Sequence, residues 1–221
     1  MNRFLIVACF IYATQIWASP LTLVYKAKGG KHVDFLQTYK IETLPEGRKV
    51  VLEFSEKGEL DRRHEVFIDL HGATQKWDFF SPKTGLKITS YRKDGEVILT
   101  GEKKGKKTEK KFKVGNKIWM QIFPTGLESF ALSNEKQKEF FSIGIEGPAE
   151  MEMGEFVAKD RKTETFKDDY ITAESVLLTL TFDDWKSRFW SGKSWHRKTD
   201  GRILGIHVGR DIGTWELISE K

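Results

Sequence analysis

The sequence predicts a mainly β protein: an antiparallel sheet with one wet face, plus one short helix or helical turn. From Leu21 onward, short segments rich in Val, Ile, Thr and aromatic residues alternate apolar with polar positions, and Gly, Pro and Asp break them at close intervals. Single-residue alternation marks strands that bury one face only. No strand–helix–strand rhythm is present, which argues against a doubly wound fold. At 221 residues and 39% hydrophobic content the chain is long enough for one core, and no repeat or low-complexity linker divides it.

Taken in order, the strand segments are Thr22 to Ala27, Phe35 to Thr43, Lys49 to Glu56, His64 to Leu70, Gln75 to Phe80, Leu86 to Arg92, Val97 to Glu102 and Thr108 to Val114. Then come Lys117 to Gln121, Lys138 to Ile145, Glu150 to Lys159, Glu164 to Phe166, Glu174 to Thr181, Ser187 to Trp190, Ser194 to Lys198, Ile203 to Val208 and Thr214 to Ser219. Asp94-Gly95 and Asp200-Gly201 are hairpin signals, because both central residues of a type I′ turn need positive φ. One stretch departs from the alternation: in Pro124 to Leu132, Leu127, Phe130 and Ala131 fall at i, i+3 and i+4, the spacing of a short helix.

The N-terminus reads as an address. Arg3 precedes an apolar run from Phe4 to Ala13, and Thr14 to Ala18 leads into Ser19-Pro20, the layout of a secretory signal peptide cleaved after Ala18. Residues 1–18 are then the signal and 19–221 a single β domain. The run is about half the roughly 20 residues a membrane span requires, so a permanent anchor is the weaker alternative. Ile6-Val7-Ala8-Cys9 resembles a lipobox, which would leave the protein lipid-anchored in the envelope, although few apolar residues precede Cys9. Cleavage after Ala18 removes the chain's single Cys, so the mature protein holds no disulfide and depends on core packing. An exported periplasmic protein fits this pattern best.

The charge is uneven. Removal of Arg3 leaves 36 basic against 32 acidic side chains, while residues 103–117 hold eight lysines against Glu109. Outside that stretch the mature chain is slightly acidic. Lys103, Lys104, Lys106, Lys107, Lys110 and Lys111 flank a Gly105 turn between two strands and are the candidate contacts for an anionic surface. The plainer alternative is that they keep a long hairpin soluble and discourage edge-to-edge pairing. No arginine cluster or nucleic-acid motif is present, so nucleic acid is not an expected partner.

No P-loop, dinucleotide glycine fingerprint, G-x-S-x-G elbow or H-E-x-x-H pair occurs, and the five histidines are scattered. These absences point to a non-enzymatic protein without catalytic residues, metal or cofactor. Asp183-Asp184, between an apolar strand and Trp185, could bind a cation or carry acid–base chemistry, and a polar turn is its commoner role. The seven Trp carry more information. Trp119, Phe123, Phe130, Trp190 and Trp195 are the candidate ligand-binding residues, either lining a cavity for an apolar molecule or filling the core of a broad sheet. Phe140 and Phe141 would belong to the same wall.

The run Trp185, Phe189-Trp190, Trp195 to Leu204, closing with Gly213 to Leu217, resembles a bacterial family of exported β-sheet proteins of unknown function of the DUF3108 type. The match extends from Glu96 to Leu217 and, more loosely, over the whole mature chain. That resemblance implies a curved antiparallel sheet, an open or partly closed barrel, of the kind that envelope lipoprotein carriers also use. It supplies no catalytic residues. The expected function is a non-enzymatic envelope protein that holds a hydrophobic or lipid-like ligand on the concave face. The alternative is an interaction module that meets an acidic partner through the lysine hairpin.

Overall fold

The computed structural model describes residues 20–28, 35–145, 151–188, 190–208 and 213–221, without the side chains of Phe123, Asp160 and Lys186. The expected signal peptide, its cleavage site, Cys9 and Phe189 lie outside the described residues. Fifteen strands form one sheet among the described residues. They are β1 (Leu21–Lys28), β2 (Phe35–Leu44), β3 (Gly47–Glu56), β4 (Glu59–Asp69), β5 (Thr74–Ser81), β6 (Leu86–Lys93), β7 (Glu96–Lys103) and β8 (Lys106–Lys113) in the first half. The second half holds β9 (Ile118–Trp119), β10 (Lys138–Ile145), β11 (Met151–Lys167), β12 (Thr172–Phe182), β13 (Ser191–Arg197), β14 (Ile203–Val208) and β15 (Thr214–Glu220). Two short helices, α1 (Phe123–Gly126) and α2 (Glu128–Leu132), follow β9. Among the described residues no helix is long and apolar enough to cross a membrane.

The topology is two meanders joined through the chain ends. β1 to β8 pair in sequence order, β15 back to β10 do likewise, and β1 pairs with β15. Thr22 and Lys221 exchange backbone hydrogen bonds of 2.8 and 3.0 Å, so both termini of the domain lie mid-sheet. The two outer strands, β8 and β9, do not bond to each other; β9 instead runs parallel to β10, which makes the sheet mixed at that pair. The sheet nonetheless curls until its margins meet. Lys110 Nζ on β8 donates to the Met151 carbonyl at 3.0 Å, and Gly101 on β7 faces the Met151 side chain.

Alternation decides which residues fill the curl. Leu23, Tyr25 and Ala27 on β1, Val50 and Leu52 on β3, Val66 and Ile68 on β4 and Trp77 and Phe79 on β5 all point to one face and are buried. They join Ile203, Ile206, Trp215 and Leu217 from the other half in one core on the concave side. Each such side chain contributes about 1.5–3 kcal/mol on burial. A second, smaller core lies on the opposite face of β10 to β12. There Phe140, Ala158, Val176, Leu178 and Leu180 pack under Leu127, Phe130 and Ala131, the three positions whose helical spacing the sequence shows.

Several elements differ from expectation. The expected strands from Glu150 to Lys159 and Glu164 to Phe166 merge, over the described residues, into one strand, β11 (Met151–Lys167), with an irregularity in its pairing to β12 between Lys159 and Lys162. That bulge reverses the alternation: Phe156 packs on the outer core before it and Phe166 on the inner core after it. Ser187 to Trp190 is not a strand; Trp185–Arg188 forms a 3₁₀ turn, and Trp185 is 69% exposed. Lys117 to Gln121 contracts to the two residues of β9. Asp94-Gly95 is a type I′ turn, with φ of 51° and 75°. The Asp200-Gly201 signal yields a wider turn instead. Only Gly201 has positive φ there, 72°, and its N–H closes on the Arg197 carbonyl at 2.7 Å.

The connection from β8 to α2 ties the halves together. Val114 N–H donates to the Gly95 carbonyl at 2.9 Å, and Gln121 N–H to Thr74 Oγ1 at 2.9 Å. Arg48, at the start of β3, donates to the Thr125 carbonyl at 2.8 Å and pairs with Glu128 on α2. Gly201 packs against the Glu128 carbonyl so closely that a Cβ would sit 2.4 Å from it.

Candidate functional site

Inside the curl is an apolar cavity of about 180 Å³. Its wall follows from strand register. Tyr39 on β2 lies opposite Leu52 on β3, Gln37 opposite Phe54, and Leu52 opposite His64 on β4. These alternate residues share the concave face and form two rows. From the other half Ile206 on β14 faces its register partner Trp215 on β15, with Val208 beside them. Ile122 and Pro124, from the crossing segment, complete the lining. The two meanders and the connection between them therefore each contribute a side.

The ring geometry is tight. Phe54 stands edge-on to Trp215 at 6.1 Å and lies 5.7 Å from His64, while His64 stacks on Trp77 at 6.0 Å. Burial, and then the charge of Arg62, push the His64 pKa down to about 3, so this imidazole is neutral at physiological pH. Burial likewise raises the Tyr39 phenol above its ordinary range, keeping it protonated. Gln121 is held at both ends of its amide: its Oε1 accepts from Trp119 Nε1 and Ile143 N–H, each at 3.1 Å, and its Nε2 donates to the Ile143 carbonyl at 2.8 Å.

The aromatic residues singled out from the sequence are dispersed. Trp119 is wholly buried in the inner core and reaches the cavity only through its hydrogen bond to Gln121. Trp195 packs on the same core against Phe166 at 5.6 Å and donates to Glu164 at 2.7 Å. Phe130 and Trp190 belong to the opposite face, where Trp190 meets Phe156 at 5.5 Å. Phe141 packs inward and Phe140 outward, being neighbours on one strand. Phe123 begins α1, but its side chain is outside the described ones. The cavity wall comes instead from Gln37, Tyr39, Leu52, Phe54 and His64, which sequence reasoning passed over. Their signal was the period of two in β2 to β4, which marks a shared face without marking a gap in its packing. Of the wall, Trp215 alone lies in the aromatic run the sequence singled out, which closes with Gly213 to Leu217.

The lysines occupy an edge rather than one surface. Lys104-Gly105 forms the type I′ turn of the β7–β8 hairpin, with φ of 49° and 77°. On β8, Lys107 and Lys111 are exposed on the convex side, whereas Lys110 alternates with the partly buried Phe112 and reaches the Met151 carbonyl. Lys106 shares that inward parity. Inward-pointing lysine on an outermost strand discourages a second sheet from pairing there.

Two other clusters have closed chemistry. Asp183 follows β12 near Glu139 and Glu155, with carboxylate oxygens within 4.8 Å of one another, and Lys117 pairs with both glutamates. Ser194 Oγ lies 3.0 Å from His196 Nε2, and His196 Nδ1 donates to the Gly201 carbonyl at 2.8 Å. Both residues are buried, and burial lowers the His196 pKa to about 4. This pair is sealed from solvent and anchors the 198–202 turn.

A curled sheet with unbonded margins and its main core on the concave side is a β-barrel-like fold. No family model and no curated protein matches the chain. Its structure is similar to the crystal structure of a β-barrel-like protein of a domain of unknown function, DUF1849, from Brucella abortus. The TM-score is 0.60 at 12% sequence identity, over 93% of this chain and 98% of that one. At that identity the likeness is one of fold. It agrees with a β-sheet protein of unknown function and carries a description other than DUF3108.

Proposed function

We propose that this is a non-enzymatic, exported envelope protein that holds a hydrophobic or lipid-like ligand against the concave face of its sheet. The observation that carries the proposal is the apolar cavity between Tyr39, Leu52, Phe54 and Trp215, since small-molecule sites are concave, mostly apolar and furnished with few polar groups. Export, periplasmic residence and kinship with the DUF3108 type belong to the same proposal and rest on the N-terminal sequence and the C-terminal aromatic run. Native mass spectrometry of the mature protein after gentle extraction is the test. A ligand-bound mass that disappears in a Leu52→Trp variant, which fills the cavity, is the expected result. A protein that is empty on extraction and ignores a panel of lipids would defeat it.

The second function is contact with an acidic envelope partner through the β7–β8 hairpin, favoured by the exposure of Lys104, Lys106, Lys107 and Lys111. Such a contact weakens steeply with ionic strength, whereas apolar binding does not. Envelope association unchanged after Lys106, Lys107, Lys110 and Lys111 are replaced by Gln would exclude it.

A further inference from the structure

Two polar groups lining the cavity, His64 and Gln37, keep an unused N–H donor. The Trp77 indole N–H cannot accept, and it donates to Nδ1 of His64 at 3.3 Å. The neutral imidazole therefore carries its proton on Nε2. Tyr39 donates its hydroxyl to Oε1 of Gln37 at 3.3 Å, which occupies the amide oxygen and leaves the NH₂ group. Neither the His64 Nε2–H nor the Gln37 NH₂ donates to another described residue.

Arg62 adds a positive charge to the same row. It lies opposite Phe54 in the β3–β4 register, as Gln37 does across β2–β3, and it shares the inward parity of His64. Its guanidinium carbon stands 4.1 Å from the Phe54 ring centroid. Its Nε is buried and has no hydrogen-bond partner among the described residues. The carboxylate beside it, Asp61, is 3.9 Å away and also serves Lys83 at 3.3 Å. The Arg62 side chain is 43% exposed, so its charge keeps contact with water beside Phe54, but the enclosed Nε–H lacks an acceptor, a loss that an incoming anion would make good. Burial accordingly lowers the Arg62 pKa from its ordinary value, the opposite of what a well-paired arginine shows.

Size narrows the occupant further. A void of about 180 Å³ is near the ~150 Å³ that accepts a benzene ring, and below the ~300–1,000 Å³ of sites for drug-sized ligands. It holds one ring or a short stretch of one acyl chain, not the two chains of a phospholipid. We propose that the cavity takes a single-chain anionic amphiphile, its tail between Tyr39, Leu52 and Trp215 and its acidic head on Arg62, the His64 Nε2–H and the Gln37 amide. This rests on the apolar-ligand function above and specifies its head and chain number.

Calorimetric titration of the mature protein with octanoate, octanol and acetate separates the two. Octanoate is expected to bind about tenfold more tightly than octanol, with acetate not detectable. Arg62→Gln is expected to abolish the preference by weakening octanoate about tenfold, and Arg62→Lys to restore part of it. Gln37→Leu supplies an independent loss of preference should the Arg62 variants not fold. Equal binding of octanoate and octanol by the unaltered protein would overturn the anionic head and leave the apolar-ligand function standing. Acetate binding as tightly as octanoate would overturn the amphiphile, and no binding of either eight-carbon probe would overturn both.

Discussion

β1 to β8 and β10 to β15 follow the same alternation, yet they treat their second face differently. On the convex side of the first meander the outward residues are charged ladders, such as Lys40 with Glu53 at 3.1 Å and Lys49 with Glu65 at 2.7 Å. Exposed pairs of this kind contribute about 0–1 kcal/mol each. On the convex side of the second meander, Phe140, Ala158, Val176, Leu178 and Leu180 lie under α2 and are buried. The sequence of β12 carries that difference: Val176-Leu177-Leu178-Thr179-Leu180 is nearly continuous in apolar character, as a strand buried on both faces must be. The inner core is thus shared by both halves, while the outer core belongs to one. A substitution in the first should be felt everywhere, and in the second locally.

The largest expected effects test that distinction directly. Trp77→Ala and Phe130→Ala each remove a fully buried ring and should each cost about 3–5 kcal/mol in denaturant unfolding. Their reach should differ. Hydrogen exchange of Trp77→Ala should show lost protection across both meanders, and that of Phe130→Ala a loss confined to β10 to β12 and α2. Exposure of β3 to β6 amides in Phe130→Ala would break the comparison.

Acid should weaken the protein through its buried imidazoles. His196 has a folded pKa of about 4 against an ordinary value of 6.5, so between those limits the unfolded chain binds the extra proton. Stability is full above about pH 6.5 and falls as the pH drops toward 4, by up to about 3 kcal/mol from this group. His64, with a folded pKa of about 3, slopes in the same direction over a wider range. Urea titrations at pH 7 and pH 4.5 check this, and His196→Gln should flatten the slope. A stability independent of pH over that range would show that the imidazoles are open to water.

The tie between the halves comes next in size. Glu128 is largely buried, and burial raises its pKa above the ordinary value despite the opposing pull of Arg48. Arg48→Met strands that carboxylate and should cost about 2 kcal/mol, below the cost of breaking a fully buried pair. The loss should be greater at pH 8 than at pH 5, where Glu128 can take up a proton and become neutral. Measurement of the two midpoints decides it. The smallest effect belongs to the wet face: Lys83→Ala, which removes exposed contacts to Glu56 and Asp61, should leave the urea midpoint unchanged within error.

The same contrast explains how much was legible beforehand. Alternation located most strands of the first meander to within two residues, because one wet face leaves every second residue polar, but missed the polar start of β4 from Glu59 to Arg63. It was less successful in the second half, where the bulge near Lys159 reverses the inward parity of β11 and Trp185–Arg188 form a turn rather than the start of a strand. For the cavity, the sequence displayed Trp215 but not Phe54 or His64, since a residue facing a void and one facing a neighbour carry the same pattern. The donors at Gln37, His64 and Arg62 could not be grouped without the register of β2, β3 and β4.

By itself the sequence determined that the chain is a sheet, which residues share a face along each strand, and that a short helix interrupts the order near Leu127. Period-two patterning is local chemistry and needs no knowledge of distant partners. Only the tertiary structure decided that β1 pairs with β15, that β8 and β9 stay unbonded, and which face is concave. Those outcomes depend on the twist summed over fifteen strands and on the segment that crosses from Val114 to Glu128. The cavity is what their summed curvature leaves unfilled.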